Sequence, residues 1–198
     1  MEFEEFKDLL MHQRAIRLFD TSQPVDDETV AQILRIATFA PNGGNRQPVR
    51  FLVIRDREIK TKLWEIFDGL GAAMHGGPPE ATPWPEVPVL IAVLGDPPPG
   101  APPGSPVPAS VYPAVQNILL TVHAMGLGSV LTTRWKTRED EVRAILGYPE
   151  SVQAWAILPI GVPNRKYGRG KRRPVAEITS RDVWGRPWVE PIEATTGR

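Results

Sequence analysis

At 198 residues, with 23 basic and 23 acidic side chains, the chain is formally neutral and long enough for one domain with a sizeable core. Neutrality argues against a general nucleic-acid binder, and the absence of cysteine excludes disulfides, thiolate metal sites and a cysteine nucleophile. The acidic start over residues 1–6 lacks the order of a signal peptide, and no apolar run approaches the roughly 18 residues of a membrane span, so a soluble cytoplasmic protein without a membrane partner is expected.

Phe3, Phe6, Leu9 and Leu10 recur at helical spacing within residues 2–12, with acids at the front, where the helix dipole favours them. This helix runs into Gln13-Arg14-Ala15-Ile16-Arg17-Leu18-Phe19-Asp20. Like charges at Arg14 and Arg17 repel unless something anionic lies between them. Either they pair with Asp20 or Glu4 at the surface, or they clamp a phosphate, which suits the planar, bidentate guanidinium. A second helix opens at Asp26, a plausible cap, and Val30, Ile33, Leu34, Ala37 and Ala40 mark its buried face up to Pro41.

The stretch Ala40-Pro41-Asn42-Gly43-Gly44-Asn45-Arg46-Gln47-Pro48 then turns on two glycines ahead of a short apolar strand at 50–55. Its side-chain amides suit the edge of a planar ligand, and they equally suit a surface turn. Residues 57–68 read as a surface helix. Twelve of the 22 prolines fall between Pro78 and Pro108, in two groups flanking a strand at 87–94. They predict extended loops at about 76–86 and 97–108 rather than a linker between domains.

Residues 109–125 carry the longest helical pattern, expected to be central and nearly fully buried, with Gly126 as its stop. The run Gly128-Ser129-Val130-Leu131-Thr132-Thr133 reads as a turn into a buried strand. A helix at 137–146 capped by Thr137 follows, and then a core strand at 152–163. Arg165, Lys166, Arg169, Lys171, Arg172 and Arg173 form a basic run with three readings: a solvated tail, a nucleic-acid contact (disfavoured by the neutral total), or part of an anion site. The three histidines lack metal-ligand spacing, and His123 on the central helix reads as a satisfied interior or interface residue. No metal site and no Ser-His-Asp grouping is expected.

In order and spacing these pieces resemble the flavin-dependent nitroreductase family. The resemblance rests on the segment 13–19, the Ala-Pro loop at 40–48, the helix leading to Gly126-Leu127-Gly128-Ser129, Pro159-Ile160-Gly161-Val162-Pro163, and Arg172-Arg173-Pro174. It spans nearly the whole chain as a single domain, 1–198. It implies an α+β fold, with a mixed central sheet flanked by helices and a C-terminal arm at about 175–198 packing on a partner. It also implies a homodimer with two FMN molecules at its interface.

Carried over residue by residue, Gln13, Arg14, Ala15 and Arg17 would meet the phosphate, ribityl and pyrimidine end of FMN, with Arg172 and Arg173 closing the phosphate site. Pro41, Asn42, Gly43, Asn45 and Gln47 would come from the other subunit. Leu131, Thr132 and Thr133 would face the redox edge. The implied activity is hydride transfer from NAD(P)H through FMN to a nitroaromatic, quinone or similar acceptor. The flavin does the chemistry, no residue is assigned a catalytic role, and Arg17 stabilises the reduced state. Gln13 stands where many relatives have Arg, and Ala15 and Asn42 where they have Ser. The alternatives are therefore a specialised member (a reductive dehalogenase, an oxidase, a flavin-consuming or deazaflavin enzyme) or a non-catalytic flavin- or anion-binding homodimer.

Overall fold

The computed structural model describes residues 2–75, 81–100 and 107–188, and side chains of 71–75 are left aside. Contacts divide the chain into two units, Met1–Gly168 and Arg169–Arg198. The first unit runs α1 (Phe3–His12), β1 (Phe19–Asp20), α2 (Asp27–Ala37), β2 (Val49–Ile54), α3 (Arg57–His75), β3 (Val89–Gly95), α4 (Pro108–Ala124), β4 (Gly128–Ser129), α5 (Glu139–Leu146) and β5 (Gln153–Pro163).

The sheet order is β1-β5-β3-β2, with β4 also on β5, and every named strand pair is antiparallel. The expected mixed character reduces, among the described residues, to one parallel bridge between Ala15 and Ser129. The reason for this fold lies in β3, whose seven residues are all buried. Alternate side chains must point to opposite faces, so the strand feeds two cores. Leu90, Ala92 and Leu94 join Leu63, Ile66, Phe67, Trp84, Trp135 and Val142 under α3 and α5. Val89, Ile91 and Val93 join Val30, Ile33, Val111, Val115, Ile118 and Val122 under α2 and α4.

The outer edge of β5 is shared among short segments. Phe19–Pro163 and Asp20–Val162 pair at its end, Gly128–Gly161 and Ser129–Ile160 come next, and Thr132 bridges Ile157. The buried strand expected at 128–133 is therefore only two residues long before the chain turns away. Thr132 stays attached through its Oγ1, which donates to the Ile157 carbonyl (2.6 Å).

Several helices differ from expectation. α2 is capped as expected, Asp26 accepting from Thr29 N (2.7 Å), and hydrogen bonding from the Thr29 side chain, then from its backbone N, holds the Asp26 carboxyl below its ordinary range. α3 continues well past residue 68 and buries Leu63, Ile66 and Phe67, so it is a core element rather than a surface one. α4 keeps Ala109, Tyr112 and Gln116 exposed, so it is covered on one side only. Thr137 lies inside a 3-10 turn, Arg134–Arg138, and the cap of α5 is Arg138. Glu141 in the first turn of α5 meets the Arg138 guanidinium in its place. Gly147 ends α5 at φ 72°, a left-handed position that only glycine takes without strain.

Tyr148 is buried with its hydroxyl unpartnered among the described residues, and burial pushes the phenol up to about 12. Its folded pKa lies above the unfolded value of about 10, so the neutral form is favoured in the fold and stability drops as pH climbs through 10 to 12. Tyr148→Phe is expected to hold or raise stability by up to about 1 kcal/mol and to remove that alkaline loss. Urea unfolding at pH 8 and pH 11 checks both.

The second unit contains a 3-10 turn, Val175–Glu177, and a bridge between Ser180 and Pro187 closed by Arg181 N donating to Arg186 O (2.9 Å). Trp184 is 99% exposed there. Part of each proline-rich loop, and of the arm expected at 175–198, lies outside the described residues.

Candidate functional site

The segment after α1 is extended and tied on both sides. Ile16 N donates to Ser129 O (2.9 Å), Thr82 N to Arg17 O (2.9 Å), and Phe19 N to Thr82 Oγ1 (2.9 Å). In extended chain, neighbouring side chains point to opposite sides. Ile16 is buried, whereas Ala15 and Arg17 are exposed. Arg14 accordingly lines one cleft with Ile16 and Ser129, and Arg17 lines a small pocket with Phe19, Thr82, Trp84, Val130 and Thr132. Arg14 and Arg17 do not face a common cavity.

Nor do they pair with the acids considered for them. Glu4 pairs with Lys7 (3.0 Å), and Asp20 accepts from Ser22 N (3.0 Å) and Oγ (2.6 Å). Arg14 Nη1 donates to the Gly168 carbonyl (2.6 Å), and Arg17 has no partner among the described residues. Gln13 is half-buried and its Nε2 donates to Arg14 O (3.3 Å).

Arg17 and Thr132 therefore share a face at the sheet edge. Thr132 is buried, Leu131 partly so, and Thr133 is exposed. Beneath them Trp135, fully buried, donates from Nε1 to Thr132 O (3.1 Å), so an indole in the core holds the backbone of this run. Arg134 stacks on Phe67 at 4.8 Å, closing the same neighbourhood from below. Neither residue was singled out in the sequence; the signal was Arg134-Trp135 directly after the two threonines.

The loop at 40–48 is set apart from that edge and is mostly exposed. Gly43–Asn45 form one 3-10 turn, with Gly44, Asn45 and Gln47 at positive φ (60°, 53° and 49°). Such backbone is sparsely populated for side-chain-bearing residues and clusters where strain has a use. Asn42 Oδ1 accepts from Gln47 N (2.9 Å), and Gln47 Nε2 reaches Asn45 O (3.4 Å). The amides thus brace the loop internally while Pro41, Gly43 and Asn45 remain at the surface. A cavity of about 350 Å3 lies against Pro41, Asn42, Gly43, Arg46 and Ser110. Arg172 and Arg173 belong to the second unit; Arg172 Nη1 donates to Lys171 O (2.9 Å), and both side chains are exposed.

His123 is half-buried on α4. Burial, and then the nearby His12, hold its imidazole below the ordinary range, with Asp8 opposing them. His12 pairs with Asp8 (3.0 Å). Among the described residues no group of acids and histidines could hold a metal ion, and no helix is long and apolar enough to cross a membrane.

The helix-flanked sheet, the braced loop and the Arg17–Thr132 edge make up an α+β scaffold. The sequence profile of the nitroreductase family matches residues 10–162, and the chain belongs to that family. A protein of Archaeoglobus fulgidus, provisionally named an NADH dehydrogenase/NAD(P)H nitroreductase, is 31% identical over 162 residues, 81% of this chain and 86% of its own. An iodotyrosine deiodinase of Thermotoga neapolitana is 27% identical, over 79% of this chain and 88% of its own. Among solved structures, a provisionally named NADH dehydrogenase/NAD(P)H nitroreductase of Parabacteroides distasonis superposes with a TM-score of 0.77 at 23% identity, covering 92% of this chain and 100% of that one. An iodotyrosine deiodinase bound to FMN and 3-iodo-L-tyrosine gives 0.71 at 25% identity, covering 85% and 95%.

Proposed function

We propose that the protein is an FMN-dependent NAD(P)H oxidoreductase that works as a homodimer. The observation that carries this reading is Arg17, an exposed guanidinium without a partner among the described residues, beside the tethered Thr132 at the sheet edge. Such an Arg next to anchored backbone suits a flavin's pyrimidine end, because negative charge gathers there on reduction. FMN held there would supply hydride chemistry between NAD(P)H and an acceptor such as a nitroaromatic or quinone, in alternating half-reactions.

The residues present fit such a group. Arg17 holds the charge, Leu131, Thr132 and Thr133 present backbone along the edge, and Gln13 and Ala15 line the outward side of the same extended strip. The pocket encloses about 10 Å3 in one chain, and in the proposed homodimer a second copy would supply the rest of the flavin site. Exposed apolar side chains are available for that contact: Phe3 (72% exposed) and Leu10 on α1, Ile36 on α2 and Phe39 (82%) just beyond it, and Tyr112 on α4. The loop at Pro41, Asn42, Gly43, Asn45 and Gln47 is assigned to the neighbouring subunit's flavin, and Arg172 and Arg173 to the phosphate.

The visible spectrum of the purified protein tests the reading. Flavin bands that bleach on anaerobic addition of NADPH or NADH are expected. A protein that stays colourless after incubation with FMN would end it. Arg17→Ala is expected to weaken FMN binding by about 10- to 100-fold, the loss of one charge-assisted contact of about 1.5–3 kcal/mol. Unchanged affinity in a fluorescence titration would remove Arg17 from the site. The relatives named as iodotyrosine deiodinases favour one second reading, reductive dehalogenation. Re-oxidation of the reduced protein by 3-iodo-L-tyrosine, with release of iodide, distinguishes it from nitro and quinone reduction.

A further inference from the structure

A cleft in the first unit lies on the opposite side of the 14–17 strip from Arg17 and Thr132. It encloses about 470 Å3, within the range of roughly 300–1,000 Å3 typical of pockets for small organic ligands. Its walls are apolar, built by Ile16, Leu119, Val122 and Leu127. Its rim is cationic, with Arg14, Arg165 and Lys166 beside His12 and His123, and among the described residues no Asp or Glu lines it.

The charge in this cleft is largely unspent. Arg14 donates to a neutral carbonyl, that of Gly168 (2.6 Å). Arg165 lies over the Tyr167 ring at 5.2 Å, and Lys166 has no partner among the described residues. The nearest acid, Asp8, is committed to His12 (3.0 Å). Ser129, among the lining residues, is 2% exposed, and its Oγ has no hydrogen-bond partner among the described residues. A buried hydroxyl left unpaired costs stability unless something arrives to satisfy it. Three cations, two imidazoles and an orphan hydroxyl around apolar walls call for a ligand with one charged end and a hydrophobic body.

We propose that this cleft binds a small organic anion, an apolar body carrying a single carboxylate or phosphate, at a site separate from the flavin's. The separation follows from the backbone. Arg14 and Ile16 point into the cleft while Arg17 points to the other side, and the Ile16–Ser129 hydrogen bond (2.9 Å) closes the strip between them. A bare inorganic anion would leave most of the cavity empty, whereas an aromatic or aliphatic acid fills it. This site rests on the cleft's own residues and not on the flavin assignment.

Calorimetric titration of the full-length, FMN-loaded protein with benzoate, and separately with inorganic phosphate, tests it. Benzoate is expected to bind at least about tenfold more tightly than phosphate. Lys166→Ala should weaken benzoate by about tenfold, the usual size of one charge-assisted contact, and Leu127→Trp should abolish it by filling the apolar wall. Neither substitution should change the flavin spectrum. Benzoate should also bind more tightly at pH 6 than at pH 8. The imidazole of His123 faces Asp8 and His12 from α1 and Arg14, Arg165, Lys166 and Tyr167 across the cleft. Burial, and then His12, hold it below its ordinary range, and a bound anion opposes that shift and favours the protonated ring as pH falls. Absence of benzoate binding, phosphate binding with benzoate silent, or displacement of FMN by benzoate would each overturn the proposal. A protein that takes up no FMN yet binds benzoate would sink the flavin reading and leave this one standing.

Discussion

Trp135→Ala is expected to lower the unfolding free energy by about 3–5 kcal/mol, the usual cost of emptying a buried aromatic position. Trp135 is completely buried at the junction of α3, α5 and the sheet. Its loss leaves a cavity and also removes the bond from Nε1 to the Thr132 carbonyl (3.1 Å). That carbonyl belongs to the run that lines the Arg17 edge, so flavin affinity should fall together with stability. Trp135→Phe separates the two effects: most of the volume stays, the hydrogen bond goes, and the loss should shrink to about 1–2 kcal/mol. Urea unfolding followed by circular dichroism, with FMN titrated into each variant, reads both quantities. An alanine variant as stable as the parent would show that the indole does not anchor this corner.

Gly128→Ala is the second large effect. A Cβ there would sit 2.7–2.9 Å from three side-chain carbons of Ile16, closer than real carbon contacts allow. Ile16 has little room to retreat: it is buried, and its own N–H is bound to Ser129. The added methyl should therefore push the 14–17 strip off β4, at a cost of about 1–3 kcal/mol, and disturb Arg14 and Arg17 at once. Pairing it with Ile16→Ala restores the missing space, so the double variant should be more stable than the sum of the single changes predicts. Strict additivity in a denaturant series would mean that the two residues are not in contact.

The residues whose neighbours are close in sequence were the readable ones. The period of Val30, Ile33 and Ala37 located α2, Asp26 its start, and the apolar alternation of 152–163 located β5. What escaped depends on distant partners. β1 and β4 are two residues each and exist only because β5 offers them an edge, so no local pattern announces them. Thr137 has the composition of a cap, but the 3-10 turn around Trp135 moves the start of α5 past it. Arg14 and Arg17 suggest one clamp because two like charges close in sequence call for an anion between them, but on extended backbone a spacing of three puts the side chains on opposite sides. The cleft behind the strip was invisible for a related reason. Its residues come from α1, α4, the 126–129 turn and the segment after β5, and nothing short of the fold collects them.

The shared edge of β5 has a consequence for how the protein is made. Phe19 leaves the ribosome long before its partner Pro163, which lies near the end of the first unit. Until then Ile16, Phe19, Gly128 and Thr132 have no common strand to dock on, and the N-terminal arginines belong to an unpaired, partly apolar stretch. Contacts this distant in the chain pay their loop-closure cost late and slow the final step. A nascent chain stalled before residue 153 would lack the strand on which β1 and β4 dock, and the apolar side chains of those segments would stay uncovered.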